Sequence, residues 1–226
     1  MSSLVLSAYC NYPDEAARPF VDSLLKTGYG GDYRVLKWDH DESKQDPMDS
    51  VRLRLFREYL RITTIEYDFV MIADLRDVEF QSDPSLIEHS ELDCYMEDDH
   101  FTLGSEPYNK FWIERIAAGE DCSEILTKNI SCSGIMIGSQ AGIMYYLDTL
   151  INFIDETKNY WWGIHQGAHN WLIYNEKLKC RLIPNEASPV YTVGLIPVTV
   201  YQHKIYNRKF ALPSIIHQHD RHVLKL

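Results

Sequence analysis

Six short strand-like runs alternate with helical stretches along this chain, and that alternation limits the fold more than any other feature. The runs are residues 4–9, 33–38, 67–73, 93–96, 133–138 and 214–217. Helices are predicted from the loop at 11–14 to about Lys26, from Asp49 or Ser50 to about Ile62, and over 109–118, 141–158 and 165–174. Gly28, Gly30 and Gly31 break the first of these, and Gly119 stops the third. Strands alternating with helices predict an α/β fold, with a mostly parallel central sheet and helices on both faces. No repeat or low-complexity linker divides the 226 residues, so one domain over 1–226 is expected. In such sheets ligands sit in the crevice beyond the carboxyl ends of the strands.

Charge narrows the ligands. With 22 basic and 33 acidic side chains the formal charge is -11, which excludes a nucleic-acid binder that needs a basic face. A small anionic ligand stays compatible, because a few local cations or a metal reverse the local field. The cysteines, Cys10, Cys94, Cys122, Cys132 and Cys180, are odd in number and form no CxxC pair. Reduced thiols are expected rather than a disulfide framework or a structural zinc. The N-terminal MSSLVLSAYCNY lacks a basic leader region, and no apolar stretch approaches the ~20 residues that span a bilayer. A soluble, cytoplasmic protein with no membrane span is the expectation.

The third run ends in Asp74-Leu75-Arg76-Asp77. Two carboxylates at a strand end suit a hard divalent cation such as Mg²⁺ or Mn²⁺; surface acids capping a turn are the competing reading. On a helical wheel of residues 50–62, Val51, Leu53, Leu55, Phe56, Tyr59, Leu60 and Ile62 sweep out one apolar arc, and Arg52 falls in its middle. Either Arg52 snorkels to water from the first turn, or it reaches the carboxylates at the next strand's end or a phosphate beside them. The last run ends in His217, followed by His219 and His222. Alternation would put His217 and His219 on one side of an extended chain, where a neutral imidazole could complete a carboxylate metal site. A solvated His-rich tail is the alternative there.

Together these residues resemble a GT-A-fold glycosyltransferase. DFVMIADLRDVEFQSDP resembles a spaced variant of that family's DxD motif, SCSGIMIGS the small-residue strand lining the donor-sugar pocket, HQGAHNWLIY the DQ…N helix, and HQHDRH the closing histidine segment. In size and pattern the chain resembles the small glycosyltransferase domains of algal large DNA viruses. The resemblance implies a metal-dependent hexosyltransferase moving a sugar from a nucleotide-diphosphate donor, by family analogy a UDP-sugar, to a carbohydrate, glycan or glycoprotein acceptor. Mn²⁺ or Mg²⁺ would be held by Asp74, Asp77 and His217. Ser7, Ala8 and Tyr9 would meet the nucleobase. Arg52, Asp74 and Arg76 would serve the donor, Ser133 and Gly134 would approach its sugar, and Gln166 would face the reacting centre. The acid expected before Gln166 is His165 here, so a base must come from elsewhere. Glu97, Asp98 and Asp99 are the candidates, with Glu97 and Asp99 foremost; a solvated acidic loop is the alternative for this trio. Tyr160-Trp161-Trp162-Gly163 either stacks on an acceptor sugar or covers the core. A nucleotidyltransferase on a similar sheet is a second reading, disfavoured by the lack of glycine in SAYCNYPDEAARP. A non-catalytic carbohydrate-binding domain is a third.

Overall fold

The computed structural model describes residues 2–39, 48–194 and 196–221. In chain order the strands are β1 (Ser3–Cys10), β2 (Asp32–Trp38), β3 (Phe69–Ala73), β4 (Val78–Phe80), β5 (Leu92–Met96), β6 (Ser131–Gly138), β7 (Arg181–Ile183), β8 (Val190–Thr192), β9 (Thr199–Tyr201), β10 (Lys204–Tyr206) and β11 (Ile215–His217). The α-helices are α1 (Arg18–Lys26), α2 (Met48–Ile62), α3 (Pro107–Ala117), α4 (Ser123–Leu126), α5 (Gln140–Thr157) and α6 (Ile164–Tyr174). Asp49, one of the two expected caps of α2, His222 and most of the loop expected before α2 lie outside the residues whose side chains are described.

Six strands form the main sheet in the order β2-β1-β3-β6-β5-β7. It is mixed, which corrects the mostly parallel sheet expected. β1 runs parallel to β2 and β3, and β5 parallel to β7, but β6 runs antiparallel to both β3 and β5. All eight residues of β6 are buried. A strand covered on both faces reads as a continuous run without polar alternation, and such a run carries no mark of direction. The reversal has a consequence for position: the amino end of β6, not its carboxyl end, adjoins the carboxyl end of β3.

Side chains alternate along the central strands. Leu4, Leu6 and Ala8 of β1 and Val70 and Ile72 of β3 point into a core shared with α2, α3, α5 and α6. Val5 and Tyr9, with Phe69, Met71 and Ala73, point into a second core shared with α1, β4, β8 and β11. The helices therefore gather on one face. The other is covered by a single helix and a three-stranded sheet of order β4-β11-β8. Burying one apolar face of each layer in this way supplies the main driving force for folding. Among the described residues no helix is long and apolar enough to cross a membrane, and no two cysteines are joined by a disulfide.

Candidate functional site

The small sheet explains how the acidic turn meets the late histidine. β3 ends at Ala73, the chain turns through Asp74–Asp77, and Val78 starts β4. β4 pairs antiparallel with β11 in a register that sets Val78 opposite His217. The imidazole is thereby brought to the turn: Nε2 of His217 lies 3.5 Å from Asp74 Oδ2 and 3.7 Å from Asp77 Oδ2. One ligand atom from each of the three residues falls within 4.8 Å of the others. Oxygen and nitrogen ligands about 2.1 Å from a shared small cation sit roughly 3–4 Å apart, and the two imidazole–carboxylate distances fall in that range, so the three groups could hold a metal ion.

Two further observations bear on that fit. The His217 side chain is only 1% exposed, and its Nε2 is buried without a hydrogen-bond partner among the described residues. An orphaned buried nitrogen is costly unless something else meets it. Burial alone would lower the basicity of this ring, yet Cys132, Asp77 and Glu97 around it raise its pKa to about 9. A proton there does what a cation would do between two carboxylates. The second observation is Gly134. A Cβ at that residue would lie 2.3 Å from Cε1 and 2.6 Å from Nε2 of His217, and 2.8 Å from Asp74 Oδ2. Only a residue without a Cβ lets the β6 backbone come this close to His217 and Asp74.

The local path of β6 makes that approach. Its pairing with β5 shifts between Cys94, opposite Met136, and Tyr95, opposite Cys132, so Ser133–Ile135 bulge out of the ladder. On the other side the Asp74 amide donates to Gly134 O at 2.8 Å. Side chains of α6 satisfy the backbone here. The Ser133 amide donates to Gln166 Oε1 (2.8 Å), the Ser131 amide to Asn170 Oδ1 (2.9 Å), and Gln166 Nε2 and Asn170 Nδ2 both donate to Ser131 O. Gln166 lines the cleft, but its oxygen is engaged, and Nε2 is shared between Ser131 O and Asn109 Oδ1. In this arrangement it positions β6, a different part from the reacting-centre role expected of it.

Arg52 resolves the anomaly of its helix face. Its guanidinium is ion-paired to Asp74, with the side chain 14% exposed, and NH2 lies 3.4 Å from His165 Nε2. Arg76 points outward, donating to Tyr12 Oη at 3.1 Å and to Asp220 Oδ2 at 3.3 Å. No protein-family model matches the chain, and no curated protein does.

Asp74 and Asp77, with Arg52 and Arg76, stand where two hollows meet. The smaller, about 280 Å³, is lined by Ala8, Tyr9, Cys10, Tyr12 and Trp38. The larger, about 630 Å³, holds Glu97, Cys132, Ser133, Gly134, Gln166 and His217. Ser7 is a correction: it is fully buried, and its hydroxyl donates to Ala73 O, tying β1 to β3 away from the hollow. Asp99 is another. It is exposed, lies 3.1 Å from His100 Nδ1, and faces a separate hollow beside Arg208. The chain leaves β5 at Met96, so strand alternation no longer governs where residues 97–99 point. Glu97 does reach the main cleft, and burial pushes its carboxyl pKa up despite Arg221 and His217 nearby. Asp98 lines both hollows. Burial opposes its ionisation, but the His100 amide and ring and Arg208 outweigh that and hold it ionised. His219 does not continue the strand: Gln218 takes a left-handed φ of 61° and a 3₁₀ turn over His219–Arg221 follows.

Sequence reasoning missed Cys132 and Thr192, each 3.5 Å from His217 Nδ1. A ligating imidazole is normally oriented through its other ring nitrogen, and these two side chains stand at that nitrogen. Cys132 lay within SCSGIMIGS, but as a buried thiol it gave no separate signal. Thr192 belongs to a three-residue strand too short to register.

Proposed function

We propose that the protein is a divalent-metal-dependent glycosyltransferase of GT-A-like architecture, taking its sugar from a nucleotide-diphosphate donor, with UDP as the nucleotide. One observation carries the reading: Asp74, Asp77 and the orphaned Nε2 of His217 converge beneath Gly134, at the junction of an aromatic-lined hollow and a larger cleft. The smaller hollow, walled by Tyr9, Tyr12 and Trp38, suits a stacked nucleobase. The junction suits the diphosphate, and the larger cleft the sugar and its acceptor.

A Mn²⁺ or Mg²⁺ ion held by Asp74, Asp77 and His217 would supply charge neutralisation for the diphosphate and for the oxygen that departs with it. Arg52 keeps Asp74 oriented, and Cys132 and Thr192 keep the imidazole oriented. In the transfer, an acceptor hydroxyl oxygen forms a bond to the anomeric carbon, and the bond from that carbon to the phosphate oxygen breaks. The electron pair stays on the diphosphate, and the hydroxyl proton goes to a base. Glu97 is the candidate for that base, since burial raises its proton affinity and it lines the same cleft. Cysteines that form no disulfide among the described residues fit a reducing, cytosolic setting.

The test is a hydrolysis screen across UDP- and GDP-sugars with Mn²⁺, repeated on Asp77→Ala. At least one UDP-sugar should be cleaved, and the substitution should cut the rate by roughly 100-fold or more. Cleavage of no donor, or full activity in the variant, overturns the assignment. A nucleotidyltransferase would instead consume a nucleoside triphosphate and release pyrophosphate.

A further inference from the structure

Aromatic side chains from two elements meet at the mouth of the larger cleft. Tyr108 and Trp112 come from α3, and Trp162 from the segment between α5 and α6. Ring centroids are 5.7 Å apart for Tyr108–Trp162, 5.3 Å for Trp112–Trp162 and 6.0 Å for Tyr108–Trp112. Trp112 is the buried anchor, whereas Trp162 is 63% and Tyr108 60% exposed. The backbone fixes the nest closely. Gly163 follows with φ +80°, and a Cβ there would lie 2.3 Å from the Trp112 indole.

The adjacent indole behaves differently. Trp161 packs against the helical core, with Arg115 5.0 Å over its ring and Phe111 beside it. Of the two tryptophans only Trp162 lines the cleft. Two exposed rings braced by a third, and opening onto a polar cleft, are shaped for a ligand with an apolar face and hydroxyl groups around it. Sugars have that anatomy.

Charge refines the class. Away from the acidic turn, the charged groups lining this cleft among the described residues are Glu97, Asp98, Glu106 and Arg221. Asp98 is already paired with Arg208, and Arg221 stands within electrostatic reach of Glu97. Arg52 and Arg76 stand at the acidic turn, so away from it no cation among the described residues is left in excess to hold a carboxylate or sulfate, while the acids can accept hydroxyl hydrogen bonds and repel anions.

We infer that Tyr108, Trp112 and Trp162 form the acceptor platform and that it takes a neutral carbohydrate, its apolar face laid on Trp162. This rests on the transferase reading for its role, but sugar binding can be measured without a donor. Ligand-observed NMR on the full chain would compare methyl glycosides and disaccharides of neutral hexoses with the matching hexuronic acids. Neutral sugars should bind, and hexuronides should bind at least about tenfold more weakly. Trp162→Ala should raise the neutral sugar's Kd by about tenfold, with Trp162→Phe recovering most of the loss. Where Trp162→Ala does not fold, Tyr108→Ala carries the same expectation of weakened binding. In a UDP-release assay the acceptor's KM should rise in these variants by a larger factor than the donor's KM. Absence of neutral-sugar binding, wild-type affinity in the folded variants, or preference for hexuronides overturns the platform. If sugars bind as expected but no donor is cleaved, the transferase reading fails and the platform stands.

Discussion

Replacing Gly134 by alanine tests the candidate metal group with a single methyl. That methyl would have to displace the His217 ring, which is buried, or the Asp74 carboxylate, which Arg52 holds. Isothermal titration with Mn²⁺ should show at least roughly tenfold weaker binding to Gly134→Ala, the size of effect that disturbed ligand orientation typically has; unchanged affinity would mean that the ion binds elsewhere. His169 allows a test independent of any ligand. It is fully buried, with Ser131 Oγ 2.8 Å from Nε2 and Tyr146 Oη 3.2 Å from Nδ1, and burial, with a smaller contribution from His165, lowers its pKa to about 3. In the unfolded chain the ring protonates near its ordinary value of 6.5. Between those limits the unfolded state binds one more proton, so this residue erodes stability as pH falls from about 6.5 to 3, by up to about 1.4 kcal/mol per pH unit. Urea midpoints measured from pH 7 to 4 should fall less steeply in His169→Gln than in the wild type. Arg52, Asp74, Asp77 and His217 could be picked from the sequence because each is out of place in its local pattern: a guanidinium in an apolar arc, acids and an imidazole at the ends of apolar strands. Ser7 and Asp99 could not be placed, because strand alternation does not say where a ladder stops or which way the following loop turns.

Among the elements, the long ones were legible and most of the short ones were not, β11 being read within the run 214–217. α2, α5 and α6, and strands β1, β2, β3 and β6, announce themselves by periodicity or by continuous apolar runs. β4, β7 and β8 have three residues each and lack room for a pattern. Yet the register of β4 with β11 is what joins Asp77 to His217. Beside the backbone ladder, an ion pair ties β7 to β5 at the sheet edge. Arg181 Nε and NH2 donate to the two Asp93 oxygens at 2.9 and 2.6 Å, and the Asp93 side chain is 1% exposed. Arg181 is half exposed, so water screens its side of the pair. Removing it still leaves a buried carboxylate whose remaining hydrogen bonds among the described residues come from Ser90. Arg181→Ala should cost about 2 kcal/mol in urea unfolding. The double variant Arg181→Met with Asp93→Leu should lose less than the single one, because no charge is then stranded. A single variant within about 0.5 kcal/mol of wild type would mean that the edge is held by packing and backbone bonds instead.

At the scale of the whole molecule, charge would set the order of binding on the proposed reading. The chain carries a formal -11, and the junction of the two hollows adds Asp74 and Asp77 beside Arg52 and Arg76. On that reading a nucleotide diphosphate approaching alone would meet a repulsive long-range field and two carboxylates. A divalent ion in the Asp74–Asp77–His217 group would offset both carboxylates and leave the guanidiniums of Arg52 and Arg76 unopposed, so each ligand should bind better in the presence of the other. Linkage makes this measurable, because a ligand that binds only the native state at 100 times its Kd adds about 2.7 kcal/mol of stability. For a chain of this length that corresponds to a Tm rise of roughly 5–10 °C. UDP with Mn²⁺ should produce a shift of that order, whereas UDP with EDTA should produce almost none. The shift with both should exceed the sum of the separate shifts, and Asp77→Ala should abolish the excess. Strict additivity, or an equal shift by UDP in EDTA, would mean that the nucleotide binds without help from the acidic turn, and that the convergence of Asp74, Asp77 and His217 serves the fold rather than a metal.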